Sequence, residues 1–285
     1  IVIKNCTFTN GGGYAIDLRN GSIGGTGLEI LNNTFTDTYG GIYAQYFDAV
    51  TIRGNTIKGA GMSEHGIRLD YCDGANVVED NHINAPDLTY GIYLYYCQAT
   101  SGSEAKIINN LINAEDYGIY HYQYNTYQRA VYNTVKVRDN YAFYFGNSQN
   151  NNSLKNNIFY TESTGSPALY ISDTTGFTGS YNDLFSNYTY PVYYEGNKTF
   201  AQYQATGDGA NSVNLEPVFD SDSTLVPRRL ALDNLGTPIS GITDDINGST
   251  RSTSTPDMGA IEFTPSGSAL SGTYTLGSGG NYASF

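Results

Sequence analysis

Large apolar residues recur along the chain at 16, 42, 67, 92, 119, 143, 169 and 192, in steps of 23 to 27 residues. Each sits in a short stretch of one type: "YAI", "GGIY", "HGIR", "YGIY" twice, "YAFY", "ALY" and "YPVY". Ala or Gly precedes the large residue in seven of the eight copies, and Tyr follows it in six. A second line shares the period. "LNNTF", "RGNTI", "EDNHI", "INNLI", "YNTV" and "KNNIF" place Asn33, Asn55, Asn81, Asn110, Asn133 and Asn157 at one pivot. "KNCTF" joins with Cys6 there and "YNDLF" with Asp183. Two lines with one spacing define an internal repeat of about 25 residues.

That period fits a leucine-rich repeat or a parallel β-helix. The first needs Leu at most core positions. Here they are Ile, Val, Phe and Tyr, which suit pleated surfaces, and no helical periodicity of useful length runs through the first two hundred residues. The pattern predicts an all-β parallel β-helix of about eight coils, on the order of 35–40 Å long at about 4.8 Å per coil. Residues one period apart then lie over one another. Ile16 to Val192 form one inward column. Phe8, Phe35, Ile57, Ile83, Ile112, Val135, Phe159 and Phe185 form another. The Asn line marks a bend where stacked amides bond along the pile. Cys72 and Cys97 each follow a repeat Ile by five residues, so they are expected as neighbours one layer apart. That spacing permits a disulfide; the plainer reading is a pair of small buried thiols.

The register fades after about Gly196. We divide the chain into coils over 1–196, an irregular β-rich C-terminal cap over 197–264, and a linker with the first strand of a further module over 265–285. The chain begins at Ile1 inside an expected strand and is read as a piece of a longer protein.

Composition narrows the partners. With 27 acidic against 14 basic residues, the net charge of −13 opposes binding to nucleic acid or to an anionic membrane. No apolar run is long enough to span a bilayer. No cofactor is expected. The acidic residues are scattered and the three His lack ligand spacing, so no metal set is read.

The repeats resemble the right-handed parallel β-helix proteins of the pectin-lyase-like superfamily. "EPVF" (216–219), "ALDNLG" (231–236), "DINGSTR" (245–251) and "DMGAIE" (257–262) resemble the terminal segment of large bacterial secreted β-helix proteins. The resemblance implies an extracellular or cell-surface protein built of tandem modules, with neighbouring modules, further copies or surface polysaccharide as partners. Relatives that cleave acidic polysaccharides carry N-T-D, D-D, G-H-G and R-I-K motifs or a Lys/Arg base with calcium ligands. None of these assembles here, and "DD" (244–245) falls outside the coils. Two groups of residues still carry chemistry. His65, Arg68, Asp70 and His121, on neighbouring layers, form a candidate acid–base cluster for an acidic sugar. Tyr43, Tyr93, Tyr120, Tyr144, Tyr170 and Tyr193, with Arg68 interrupting them, follow the inward residue. They are expected to point outward, as a stripe for sugar rings or as packing over the strands. The expected function is a structural or adhesive module (stalk, filament element or adhesin). A polysaccharide lyase or glycoside hydrolase acting on acidic glycans is the alternative.

Overall fold

The computed structural model describes residues 1–22 and 24–265, and the expected linker and further strand at 266–285 lie outside them. Each coil contributes one short strand to each of three parallel sheets. The first sheet runs from Val2–Lys4 to Thr178–Ser180, and the second from Thr7–Thr9 to Asp183–Ser186. The third runs from Tyr14–Arg19 to Val192–Tyr194, with Asn197–Lys198 added antiparallel at its edge.

The columns expected from the repeat are the sheet registers. Ile42, Ile67, Ile92 and Ile119 pair in sequence across four adjacent strands, and all four are fully buried. The small residue before each Ile has a steric cause. A Cβ added at Gly91 would meet the Gly118 carbonyl oxygen at 2.5 Å and Ile112 Cγ2 at 2.5 Å. The backbone of the next coil passes so close to Gly41, Gly66, Gly91 and Gly118 that no Cβ fits there.

Between the first and second sheets every coil turns on one left-handed residue followed by the pivot. The left-handed positions are Asn5, Asn32, Gly54, Asp80, Asn109, Tyr132, Asn156 and Tyr181, with φ of 53° to 67°. Gly and Asn adopt this conformation readily. Behind it the pivot amides form a continuous ladder. Nδ2 of Asn33, Asn55, Asn81, Asn110, Asn133 and Asn157 each donates to Oδ1 of the next rung, at 2.9–3.1 Å. Each Oδ1 also accepts the backbone N–H of the preceding rung. The last rung is Asn182, not Asp183 as the frame of "YNDLF" suggested. Asp183 pairs with Ile158, Leu184 takes the inward place above Phe159, and Phe185 stacks on Tyr160 outside the barrel. Tyr181 takes the left-handed turn as Tyr132 does, so "YNDLF" aligns with "YNTV", and a frame read one residue late exchanges the two faces.

The C-terminal segment departs from the expected β-rich cap. Beyond the edge strand Asn197–Lys198, its described part holds the helix Phe200–Gln204, a 3-10 turn at Leu230–Leu232 and isolated bridges. The helix is opened by a capping box between Thr199 and Gln202 and buries Tyr203 over the end of the core. Ala210 and Val213 then bridge to Ser180 and Asp183, and Ser212 Oγ accepts the Asn182 N–H, closing the ladder. From there the chain turns back along the flank. Leu225, Leu232, Ile261 and Phe263 cluster with Leu111 on the outer face of the second sheet. Arg251, over the Tyr132 ring at 4.0 Å, donates to Asn109 Oδ1, and Thr237 exchanges hydrogen bonds with Asn156.

Asn110 sits mid-ladder and is fully buried. Asn110→Ala removes the acceptor of two N–H groups of Asn81 and leaves them buried and unpaired. We expect a loss of about 2–4 kcal/mol, measured by urea unfolding. A loss under about 0.5 kcal/mol would show that the ladder is not a stabilising element.

Candidate functional site: the aromatic face of the third sheet

The returning segment covers the second sheet and the Asn bend, and leaves the outer face of the third sheet bare. Alternation along the strands turns Tyr43, Arg68, Tyr93, Tyr120, Tyr144, Tyr170 and Tyr193 outward, in one register. They stack on one another. Tyr120–Tyr144 ring centroids lie 4.3 Å apart at 5°, Tyr144–Tyr170 4.8 Å at 18°, and Tyr170–Tyr193 4.2 Å at 7°. Faces stacked so closely are closed to any third ring. What the column offers solvent is ring edges and phenol hydroxyls.

Three further aromatic columns flank this one. His65, Tyr90 and Tyr117 stack at 4.8 and 5.0 Å. Tyr95 lies beside Tyr122. Tyr46, Tyr71, Tyr96 and Tyr124 stack at the bend that follows the strand, at 5.0, 5.1 and 4.4 Å. These four have φ of 51° to 64°, uncommon for a bulky residue. The sequence reading missed this column, although the repeat itself was a signal: each Tyr stands four residues after a repeat apolar position, or five after Ile119. Tyr122 and Tyr124 are the most exposed tyrosines of the face, at 40% and 41%.

Arg68 takes the place of a ring in the main column. Its guanidinium lies 4.7 Å from the Tyr43 centroid and 5.2 Å from that of Tyr93, a cation held between two π faces. It also pairs with Asp70 at 2.8 Å, and Tyr43 Oη donates to the same carboxylate at 2.7 Å. Asp70 is almost wholly buried. From two coils away, Tyr14 reaches across Gly40 to bring its hydroxyl 2.6 Å from His65 Nδ1. Burial, with Arg68 adding to it, pushes the His65 pKa down to about 3. Burial pushes Tyr14 up to about 12, against the opposing pull of Arg68. At neutral pH the pair is therefore a neutral phenol donating to a neutral imidazole.

The fourth member expected in this cluster is elsewhere. His121 registers with Leu94 and Phe145, both inward positions. It follows the outward Tyr120, so alternation turns it into the core. It is fully buried, both ring nitrogens lack a partner among the described residues, and the edges of the Phe143 and Phe145 rings pack against it. The structure thus brings together His65, Arg68 and Asp70 and excludes His121.

Cys72 and Cys97 are buried free thiols. Each directs its sulfur to a carbonyl of the preceding coil: Cys72 to Ala44 and Cys97 to Leu69. The disulfide that the spacing permitted is not formed.

His121 couples stability to pH. Burial lowers its pKa from 6.5 to about 3, so the unfolded chain takes up the proton first as the pH falls. Its contribution is complete above about pH 6.5 and is lost progressively toward about pH 3. We expect His121→Leu to raise the urea midpoint at pH 4.5 more than at pH 7.5. Equal shifts at the two pH values would contradict a buried neutral imidazole.

Residues 1–126 match the family model described as right handed beta helix region. No curated protein matches the chain. The matched part covers the first coils, and the same three-sheet register continues without interruption through Val192–Tyr194; the fold of the chain is a right-handed parallel β-solenoid.

Proposed function

We propose that this chain is a structural or adhesive module of an extracellular or cell-surface protein. It acts as a stiff spacer whose tyrosine face makes lateral contact with glycan or with a neighbouring copy. The observation that carries this reading is the engagement of Arg68. The cation closest to the candidate acid–base pair is already held by Asp70 and by two aromatic rings. A catalytic group needs access to substrate and a pKa near the working pH. His65 and Tyr14 are displaced from neutrality in opposite directions. Among the described residues, the clefts on the flank where the returning segment meets the first two sheets are lined by no residue of the tyrosine face.

A hydroxyl-lined face with a few accessible rings suits weak, repeated contact, since each coil adds a similar increment along the rod. On a glycan array we expect signal to fall in the double variant Tyr122→Ala and Tyr124→Ala. Unchanged binding would place the contact on another face.

The alternative, cleavage of acidic glycans, draws on the 2.6 Å approach of Tyr14 Oη to His65 Nδ1 beside Arg68. Incubation of the protein with uronate polysaccharides separates the two readings. We expect no new chain ends. Turnover that disappears in Tyr14→Phe and in Arg68→Ala would establish the enzyme instead.

A further inference from the structure

The bend after the third sheet puts Tyr46, Tyr71, Tyr96 and Tyr124 in left-handed backbone, where Gly or Asn is less strained. The turn itself does not require a phenol: the coil after Tyr124 makes it with Ser148, at φ 59°. Tyr96 and Tyr124 are the closest pair of this column, with centroids 4.4 Å apart and planes tilted by 31°. Tyr120–Tyr144 and Tyr170–Tyr193 are as near, but they lie face to face at 5° and 7° and turn no ring edge toward each other. The backbones under Tyr96 and Tyr124 are tied together. The Cys97 N–H donates to Asn125 Oδ1 at 2.9 Å, Asn125 Nδ2 donates to the Leu94 carbonyl at 3.2 Å, and Gln98 bridges to Thr126. Cys97 and Asn125 are both fully buried, so the two rings stand on a fixed base.

Composition makes this face the oxidisable surface of the molecule. The chain has 27 Tyr, no Trp, two Met and three Cys. Met62 and Met258 are buried. Cys97, next to Tyr96, is buried and turns its sulfur to the Leu69 carbonyl. The exposed Cys6 lies in the first coil. Tyr124 keeps about two fifths of its surface in solvent. Desolvation, and then the Tyr124 hydroxyl, pushes the Tyr96 phenol above its ordinary pKa. The two oxygens therefore act on each other from the same end of the stack, and the ring carbons beside them share that end.

We propose that Tyr96 and Tyr124 are a site of oxidative coupling, where a one-electron oxidant driven by hydrogen peroxide joins the two rings as dityrosine. Each phenol gives up one electron and its hydroxyl proton. The two radicals pair in a carbon–carbon bond between ring carbons ortho to the oxygens. The hydrogen on each of those carbons then moves to the oxygen beside it, which restores two phenols. One hydrogen peroxide takes the two electrons and two protons and leaves as two waters. The fixed approach of the rings favours this pairing over an encounter between molecules. The product is a covalent rung between two coils that are otherwise held by hydrogen bonds and packing. The site needs only an oxidant that reaches the face, and it does not depend on the lateral-contact reading.

The test is exposure of the full chain, at high dilution, to hydrogen peroxide with a haem peroxidase. Dityrosine fluorescence should appear while the protein stays monomeric on a denaturing gel. Digestion and mass spectrometry should find a peptide pair that joins residue 96 to residue 124 and is two hydrogens lighter than the sum of its parts. Tyr96→Phe and Tyr124→Phe should each remove that pair and most of the fluorescence. Both variants keep the ring, and their melting temperature serves as the fold control. Tyr39→Phe should change nothing: Tyr39 is as exposed as Tyr124, but its hydroxyl bonds to Glu64 and it stacks on no ring among the described residues. The linked chain should unfold at a higher urea concentration, because the bond closes a loop in the unfolded state. Four results would overturn the proposal: no dityrosine, dityrosine without the 96–124 pair, coupling confined to linked dimers, or a lowered urea midpoint in the linked chain. Each of them leaves the lateral-contact reading standing.

Discussion

Everything in this protein depends on the in-register stacking of one coil on the next. A single coil of three short strands has no interior of its own. It acquires one only when the coil above supplies hydrogen bonds to its backbone and side chains to its core. The spacing between coils is fixed by the strand-to-strand distance, so whatever occupies a position must pack well against a similar group about 4.8 Å away. This explains why Ile repeats on Ile and amide on amide. It also explains the glycines before Ile42, Ile67, Ile92 and Ile119: the next backbone has already taken the space.

Side chains that pack well against their own kind are few, and the chain uses three sorts. Branched and aromatic apolar groups fill the interior. Carboxamides fill the bend, because each can donate upward and accept from below and so leaves nothing buried unsatisfied. Phenols cover the third sheet, where stacked rings shield the strands and keep their hydroxyls in water. The exceptions are informative. Arg68 works as a rung because a planar guanidinium stacks as a ring does. His121 stands in the core with neither nitrogen bonded. Nothing in the structure offsets that burial except the contacts of its ring with Phe143 and Phe145.

The returning C-terminal segment breaks the symmetry of the rod. It bonds to the Asn bend and to the second sheet through specific polar contacts, such as Arg251 on Asn109 and Tyr132. One flank therefore gains clefts, and the opposite face stays open. A solenoid alone presents the same chemistry at every level. The folded-back segment gives this one a level with a distinct environment, at the Ile239–Ile242 turn.

The sequence by itself determined the period, the fold and the inner columns, because a parallel stack repeats its constraints at a fixed interval and local alternation decides which side chains face inward. The Asn ladder was legible for the same reason, except at its last rung, where the frame was read one residue late and Asp183 was taken for Asn182. The placement of His65, Arg68 and Asp70 on one layer could be read as well. The inward turn of His121 was implicit in alternation but is masked by a residue type that rarely lies unbonded in a core. Tertiary structure alone decided the rest. The partner of Asn109 is 142 residues away, and no repeat encodes that distance. The stacked tyrosines close their faces to one another only once the coils are assembled. What recurs along the chain is written locally, and what happens once depends on which surfaces meet.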